Sequence, residues 1–137
     1  MKNLIEIYDE AKQENIKVLE HKIGDRKSII AHTPNWTAIA LNKRLIESEA
    51  EEKTVLFHEM GHHHTNAYYN FESKFELKCR KEYRAHRWAV MNYLPLDELL
   101  NAVNKGYTEP YQLAEYFDVT EEFIHTAYEI YKRQGKI

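Results

Sequence analysis

The pentad His-Glu-Met-Gly-His at residues 58–62 constrains this chain more than any other feature. On an α-helix, residues four apart differ by only about 40° in angle and about 6 Å along the axis, so both imidazoles can reach one ion. Glu59 then lies beside that ion, where a carboxylate can deprotonate a water molecule held by zinc. The pattern predicts a helix that carries His58 and His62 as zinc ligands and Glu59 as the catalytic base.

The residues around the pentad favour a helix that begins after Ser48. Ser48 followed by Glu51 predicts a capping box, in which the hydroxyl and the carboxylate each accept an exposed backbone N–H. Leu56 and Met60 form an apolar pair on a different face from the two histidines. Gly61 costs roughly 1 kcal/mol in a helix interior, which is understandable if another backbone or a substrate passes close by. An exposed polar helix with an incidental histidine pair is the alternative interpretation.

A third zinc ligand must come from elsewhere, because a catalytic zinc has three protein ligands and one open position. Glu82 is the first candidate, since it shares one stripe of a second helix with Ala85 and Ala89, and small residues allow helices to approach closely. A solvated surface carboxylate is the default interpretation of a single Glu. His86, one turn later, competes as a ligand or as a partner that orients Glu82. Two weaker candidates lie near the loop after the pentad helix: Glu72 and Glu76.

The implied chemistry is metal-assisted amide hydrolysis. Glu59 would take a proton from the attacking water and pass it to the leaving nitrogen. His63 and His64 are displaced in angle from the pentad histidines, which favours contact with solvent or with the partners of the ligands over direct ligation. A further donor should stabilise the oxyanion, and the sequence leaves this choice open among His63, His64, His86, Tyr68, Tyr69 and Tyr93.

Three motifs follow the pentad: Glu82-x-x-Ala85-x-x-Trp88-Ala89, Leu94-Pro95 and the run LAEYFDVTEE at residues 113–122. With them the chain resembles the ImmA/IrrE metallopeptidases from about Trp36 onward. Many members of that family are encoded by phages and integrative elements. One departure is His86, where the family commonly has Asn or Asp.

The resemblance implies zinc ligation by His58, His62 and Glu82, with Glu59 as the catalytic base. It also implies a specific protein substrate, a helix-turn-helix transcriptional repressor whose removal derepresses a mobile element or stress-response genes. From another class of function, the main alternative is a regulatory protein that keeps the zinc but binds a repressor or DNA without hydrolysis. A degenerate site that holds no metal is a third interpretation.

Length and composition fit an intracellular enzyme. The chain has 137 residues, 43% of them apolar, which predicts one domain over residues 1–137 with a helical subregion at about 96–137. Its one cysteine, Cys79, excludes an internal disulfide and is interpreted as a partly buried thiol. No apolar run is long enough for a signal peptide or a membrane span, so the expected location is the cytoplasm. The net charge of −3 provides no basic field toward nucleic acid.

The order of patterns predicts an α+β fold, with a small N-terminal three-stranded β-sheet, a zincin-like helix that carries the pentad, and a mainly helical C-terminal half. Helical spacing covers residues 3–13. Three β-prone runs follow, with turns at Gly24-Asp25 and Pro34-Asn35: residues 16–19, 28–31 and 36–41. An edge strand, for which residues 36–41 are the candidate, could bind an extended substrate peptide by strand addition.

Two features could serve partner binding. A helix that opens at Pro110, a tight connection at residues 118–120 and a further helix to about Arg133 resemble a helix-turn-helix. Glu121 and Glu122 would meet the DNA phosphates, so helical packing or docking of a protein substrate is favoured over DNA binding. A basic cluster surrounds the presumed third ligand, with a solvated helix face as its default interpretation: Lys78, Arg80, Lys81, Arg84 and Arg87.

Overall fold

A computed structural model describes residues 1–68 and 75–137. In this part of the chain, six helices and three strands follow one another as α1 (Leu4–Gln13), β1 (Ile16–Glu20), β2 (Ser28–Thr33), β3 (Trp36–Leu41), α2 (Glu49–His64), α3 (Phe75–Tyr93), α4 (Leu96–Asn104), α5 (Pro110–Phe117) and α6 (Glu121–Arg133). The predicted α+β class is confirmed, with the sheet before most of the helices. The first helix and the turns at residues 24–25 and 34–35 also lie where the sequence predicted them.

The three strands form one sheet in the order β1-β3-β2. β3 pairs in parallel with β1 and antiparallel with β2. The expectation that residues 36–41 form an edge strand is therefore wrong. A two-residue turn makes β3 the hairpin partner of β2, and the longer loop at residues 21–27 carries the chain from β1 to the far side of β3. The strands at the two edges of this sheet are β1 and β2.

Helix α2 packs on the sheet through the face that the sequence predicted. Leu56, Phe57 and Met60 are buried, and they belong to one hydrophobic core that includes residues of the sheet and of every helix from α1 to α6. Phe57 stacks on Tyr93 of α3, with 4.1 Å between the ring centroids. The opposite face of α2, which carries His58, is left free to border a cleft.

The start of α2 differs in part from the predicted capping box. The Oγ of Ser48 accepts the backbone N–H of Glu51 at 3.1 Å, as expected. The Glu51 carboxylate does not return a bond to Ser48: it accepts the N–H of Glu47 at 3.2 Å and pairs with Lys27 at 3.0 Å. A nearby cation competes for this carboxylate, so the second half of the predicted box is wrong.

The C-terminal helices are joined as the sequence predicted. Pro110 begins α5, and Asp118 ends it in the left-handed conformation with φ 55°. The Oγ1 of Thr120 then caps α6 by accepting the N–H of Phe123 at 3.2 Å. A buried lysine of α2 holds this corner in place, because the Nζ of Lys53 donates to the carbonyl oxygen of Phe117 at 2.7 Å.

Helices α2 and α3 are in close backbone contact at Gly61. A Cβ atom built on Gly61 would lie 2.2 Å from the carbonyl oxygen of Ala85, where no real Cβ fits. Ala85 and Ala89 are both buried. The expectation that another backbone passes close to Gly61 is therefore confirmed, and the small residue of α3 at this contact is Ala85.

Replacing Gly61 with Ala should destabilise the protein by about 1–3 kcal/mol, because the added methyl group must push α3 away. Intrinsic helix propensity alone would give the opposite sign, a gain of roughly 1 kcal/mol. Urea unfolding of the two proteins measures the difference. Glu49→Ala, at an exposed position of the same helix, is the control and should change the free energy of unfolding by less than about 0.5 kcal/mol. A stabilised Gly61→Ala protein would contradict the close contact.

Candidate metal centre and active-site cleft

Two imidazoles of α2 and one carboxylate of α3 converge at the cleft. The Nε2 atom of His58 lies 2.8 Å from Oε2 of Glu82, and the Nε2 atom of His62 lies 2.9 Å from Oε1 of the same carboxylate. The two Nε2 atoms are 3.1 Å apart. Glu82 lies almost one turn before Ala85, so the contact at Gly61 places this carboxylate opposite the two histidines.

These three side chains fit a divalent zinc ion. Around a tetrahedral zinc with bonds of about 2.0–2.1 Å, ligand atoms lie roughly 3.3 Å from one another. The separations of 2.8–3.1 Å among the two imidazole nitrogens and the two carboxylate oxygens that face them are only slightly shorter than that. Their mixture of imidazole nitrogen and carboxylate oxygen is a donor set that zinc accepts. His58 and His62 also form a possible ion-binding group with Glu59, and His58 and Glu82 form one with His86.

The C-terminus of α2 orients the His62 ring. Thr65 ends the helix and Asn66 takes the left-handed conformation with φ 52°. The backbone N–H of Ala67 then bonds to the carbonyl oxygen of His62 at 2.9 Å, while the N–H of Asn66 bonds to that of His63 at 3.2 Å, which together form a Schellman motif. The Ala67 carbonyl oxygen consequently lies 2.5 Å from Nδ1 of His62. This bond places the proton on Nδ1 and leaves Nε2 free as a ligand.

Opposite charges stabilise each other within the centre. Burial alone would raise the pKa of Glu82, but the hydrogen bonds with His58 and His62 outweigh it and hold the pKa below its usual range. Burial would lower the pKa of His62, yet the Glu82 carboxylate and the nearby Glu59 raise it instead. Glu82 is therefore ionised near neutral pH, which is the form that binds a metal ion.

Glu59 lies beside the three converging groups and is only 5% exposed. Burial raises the pKa of its carboxyl, partly offset by the adjacent imidazoles of His58 and His62. Its Oε1 accepts a hydrogen bond from the Oγ of Ser28, at 3.1 Å, at the start of β2. Sequence reasoning missed Ser28, because no local pattern links residues 31 positions apart.

His86 lies against the His58 ring, and a nitrogen of His86 is also within 4.8 Å of ligand atoms of His58 and Glu82. The two ring centroids are 4.2 Å apart with an interplanar angle of 33°. Burial, followed by the neighbouring His58, lowers the pKa of His86 to about 4, so its ring is neutral near pH 7. Among the described residues that the sequence suggested for oxyanion stabilisation, His86 is the one that lines the cleft.

The converging side chains lie in an open cleft of about 960 Å³. One wall is the edge strand β2, through Ser28, Ile29 and Ile30, and the other is the first half of α3. Cys79 also lines the cleft and is exposed, so its interpretation as a partly buried thiol is wrong. It lies one turn before Glu82, where α3 borders the cleft and not the core.

A family model described as the IrrE N-terminal-like domain, Peptidase M78, matches residues 11–128. The chain belongs to this peptidase family. The match begins upstream of Trp36, so it includes the sheet as well as the helices. No curated protein and no solved structure matches the chain. Within the described residues, no helix of this family member is long and apolar enough to cross a membrane.

The remaining histidines of the α2 terminus contact α1 and α3, away from the cleft. His64 pairs with Glu14 at 2.7 Å and stacks on Trp88, with 4.1 Å between the ring centroids. His63 bonds through Nδ1 to the Tyr68 hydroxyl at 2.9 Å.

The other candidate side chains from the sequence do not line the cleft or lie outside the described residues. The Tyr93 hydroxyl donates to Glu10 of α1. Tyr69 and Glu72 lie outside the described residues, as does the side chain of Glu76.

The Schellman motif predicts that Asn66→Val destabilises this peptidase-family protein by about 1–2 kcal/mol, because a β-branched residue resists the left-handed conformation. Thermal unfolding measures the loss, and the ¹⁵N chemical shifts of the His62 ring should show that the Nδ1-protonated form is no longer fixed. Asn66→Gly is the matched control and should keep both properties. Equal stability of the valine and glycine variants would show that this turn does not control the ring.

Proposed function

We propose that this chain is a zinc-dependent endopeptidase that hydrolyses a specific protein. The supporting observation is the convergence of two imidazole nitrogens and one carboxylate within 2.8–3.1 Å, beside a buried second carboxylate and at the side of an open cleft. Membership of a peptidase family supports the reaction class. His58, His62 and Glu82 are the proposed ligands of the zinc ion.

When bound, zinc supplies Lewis acidity, which acidifies water and polarises a carbonyl oxygen. Glu59 accepts a proton from the attacking water at a carboxylate oxygen and delivers it to the leaving nitrogen. The Ser28 hydroxyl holds Oε1 of this carboxylate, so the other oxygen, Oε2, is the one proposed to carry the proton. Burial favours the transfer, since it raises the basicity of Glu59.

Strand addition at β2 is the proposed mode of substrate binding. β2 is an edge strand and lines the cleft, whereas β3 has partners on both sides. An extended peptide that pairs with β2 would lie between this strand and α3, with its backbone passing the metal ligands. This mode replaces the expected strand addition at residues 36–41, because these residues form the central strand of the sheet.

The proposed protein substrate is a transcriptional repressor with a helix-turn-helix domain, in the cytoplasm, whose loss activates a mobile element or a stress response. Support for this comes from the family resemblance alone. A non-hydrolytic regulatory protein that binds a repressor or DNA is the second candidate, and the helix-turn-helix-like corner of α5 and α6 is the observation behind it. Glu121 and Glu122 are exposed in the first turn of α6, which opposes contact with DNA phosphates.

Glu59→Gln separates the two functions. The variant should keep its zinc and its affinity for substrate but lose at least about 100-fold in cleavage rate, because the amide cannot accept the proton. The assay incubates the zinc-loaded protein with candidate helix-turn-helix repressors from the same genome and identifies fragments by mass spectrometry. Glu49→Gln, an exposed change on the same helix, is the control. Unchanged cleavage by Glu59→Gln would contradict the proposed base, and binding of the repressor without cleavage by the wild type would favour the regulatory protein.

The ligand assignment predicts different effects for two neighbours on α3. Glu82→Ala should lower zinc affinity by more than about 100-fold, whereas His86→Asn should lower it by about tenfold, since loss of a ligand exceeds loss of a neighbouring contact. Competition with a fluorescent chelator measures both affinities. A larger loss in His86→Asn than in Glu82→Ala would transfer the third ligand to His86.

A further inference from the structure

A smaller cavity of about 200 Å³ opens beside the candidate metal centre, between α2, α3 and the start of α6. His58 and His86 line both this cavity and the main cleft. We propose that it is a specificity pocket that receives one apolar side chain, of Leu to Phe size, from a substrate residue adjoining the scissile bond. This inference rests on the proposed peptidase function and adds a substrate preference to it.

Three helices contribute apolar walls to this pocket. Val55 comes from α2, Ala89 from α3 and Phe123 from α6. Ala89 and Phe123 are 1% and 6% exposed, respectively, so these walls continue the hydrophobic core. Val55 is three residues before His58 on the same helix, which places the apolar wall about one helical turn from a proposed metal ligand.

The pocket also has threonines, but two of their hydroxyls already have backbone partners. The Oγ1 of Thr54 donates to the carbonyl oxygen of Ala50 at 2.8 Å and accepts the N–H of Thr120 at 3.3 Å. The Oγ1 of Thr120 accepts the N–H of Phe123 at 3.2 Å. These bonds occupy the hydroxyls, so the surface that they leave for a ligand is mainly hydrocarbon.

Position and size identify the occupant. Because His58 lines both spaces, the pocket adjoins the position where a scissile carbonyl would meet the metal centre, and the side chain of an adjoining substrate residue would be within reach of it. An apolar protein cavity of about 150 Å³ holds a benzene molecule, so this volume accepts one leucine or phenylalanine side chain. Glu122 lies at the pocket and is exposed, and it would repel a carboxylate that also lost its hydration there.

The test uses three hydroxamates that differ only in one substituent: methyl, isobutyl or carboxymethyl. The hydroxamate group chelates zinc, so binding requires the metal centre but no cleavage. Calorimetry with the zinc-loaded protein measures the dissociation constant of each compound. The isobutyl compound should bind about 10- to 50-fold tighter than the methyl compound, because three more carbons are buried. The carboxymethyl compound should bind no tighter than the methyl compound.

Thr126→Trp should fill the pocket from α6. The isobutyl advantage should then fall below about threefold, while affinity for the methyl compound stays within about twofold of wild type and shows that the metal centre is intact. Thr126→Val, which has nearly the same shape, should keep the advantage. Tyr128→Trp places an indole on an exposed position of the same helix and should also keep it. Thr126→Leu provides the same test with a smaller addition if the tryptophan variant does not fold.

Each outcome separates the two proposals. Failure of every hydroxamate to bind the wild-type protein would overturn the zinc site and the pocket together. Binding of the methyl compound with no preference for isobutyl would overturn the pocket and leave the peptidase function standing. A preference for isobutyl that persists in Thr126→Trp and in Thr126→Leu would place the apolar contact elsewhere in the cleft.

Discussion

The contact between Gly61 and the carbonyl oxygen of Ala85 determines the distance between α2 and α3, and the candidate metal centre depends on that distance. The two helices can pass this close because a methyl group is absent at Gly61. Glu82 lies three residues before Ala85, so it faces the two imidazoles with both oxygens within hydrogen-bonding distance. A larger separation would leave the carboxylate too far away to share an ion with His58 and His62. Close packing of α2 on α3 therefore brings the two imidazoles and the Glu82 carboxylate within reach of one another.

Both ends of α2 and its buried side are fixed by interactions that differ in kind. Ser48 caps the N-terminus, and the turn at Asn66 closes the C-terminus and orients the His62 ring. Between them, Lys53 bonds to Phe117 across the core. Its pKa is lowered by burial, and the bond to a carbonyl oxygen compensates part of the hydration that the amine has lost. These contacts define both ends of the helix and join it to the C-terminal corner at Phe117.

Local chemistry made much of this arrangement predictable. Helical periodicity located α1 and α2, Pro110 and Thr120 located α5 and α6, and Gly61 with the alanines of α3 indicated the close helix pair. The order of the strands was not predictable in this way, because parallel pairing of β1 with β3 joins segments that no short motif connects. The hydrogen bond from Ser28 to Glu59 was unpredictable for the same reason, because it joins residues that are far apart in the sequence. The second half of the capping box failed because Lys27, distant in sequence, competes for the Glu51 carboxylate. Side-chain identity thus predicts elements and candidate ligands, and tertiary contacts decide which partner each polar group takes.

The corner formed by α5 and α6 shows why a local resemblance to a DNA-binding unit is weak support for that function. A proline at a helix start, a left-handed residue and a threonine cap produce the same backbone turn in any compact helix pair. What distinguishes the functions is the face that each helix presents. α6 buries Phe123, Ala127 and Ile130 against the rest of the protein, and its first turn presents carboxylates to solvent. The same first turn supplies Phe123 to the pocket beside His58, with Thr120 bonded to the pentad helix α2 through Thr54. A helix fixed in this position is suited to shaping a substrate cleft, and its acidic start is unsuited to meeting a phosphate backbone.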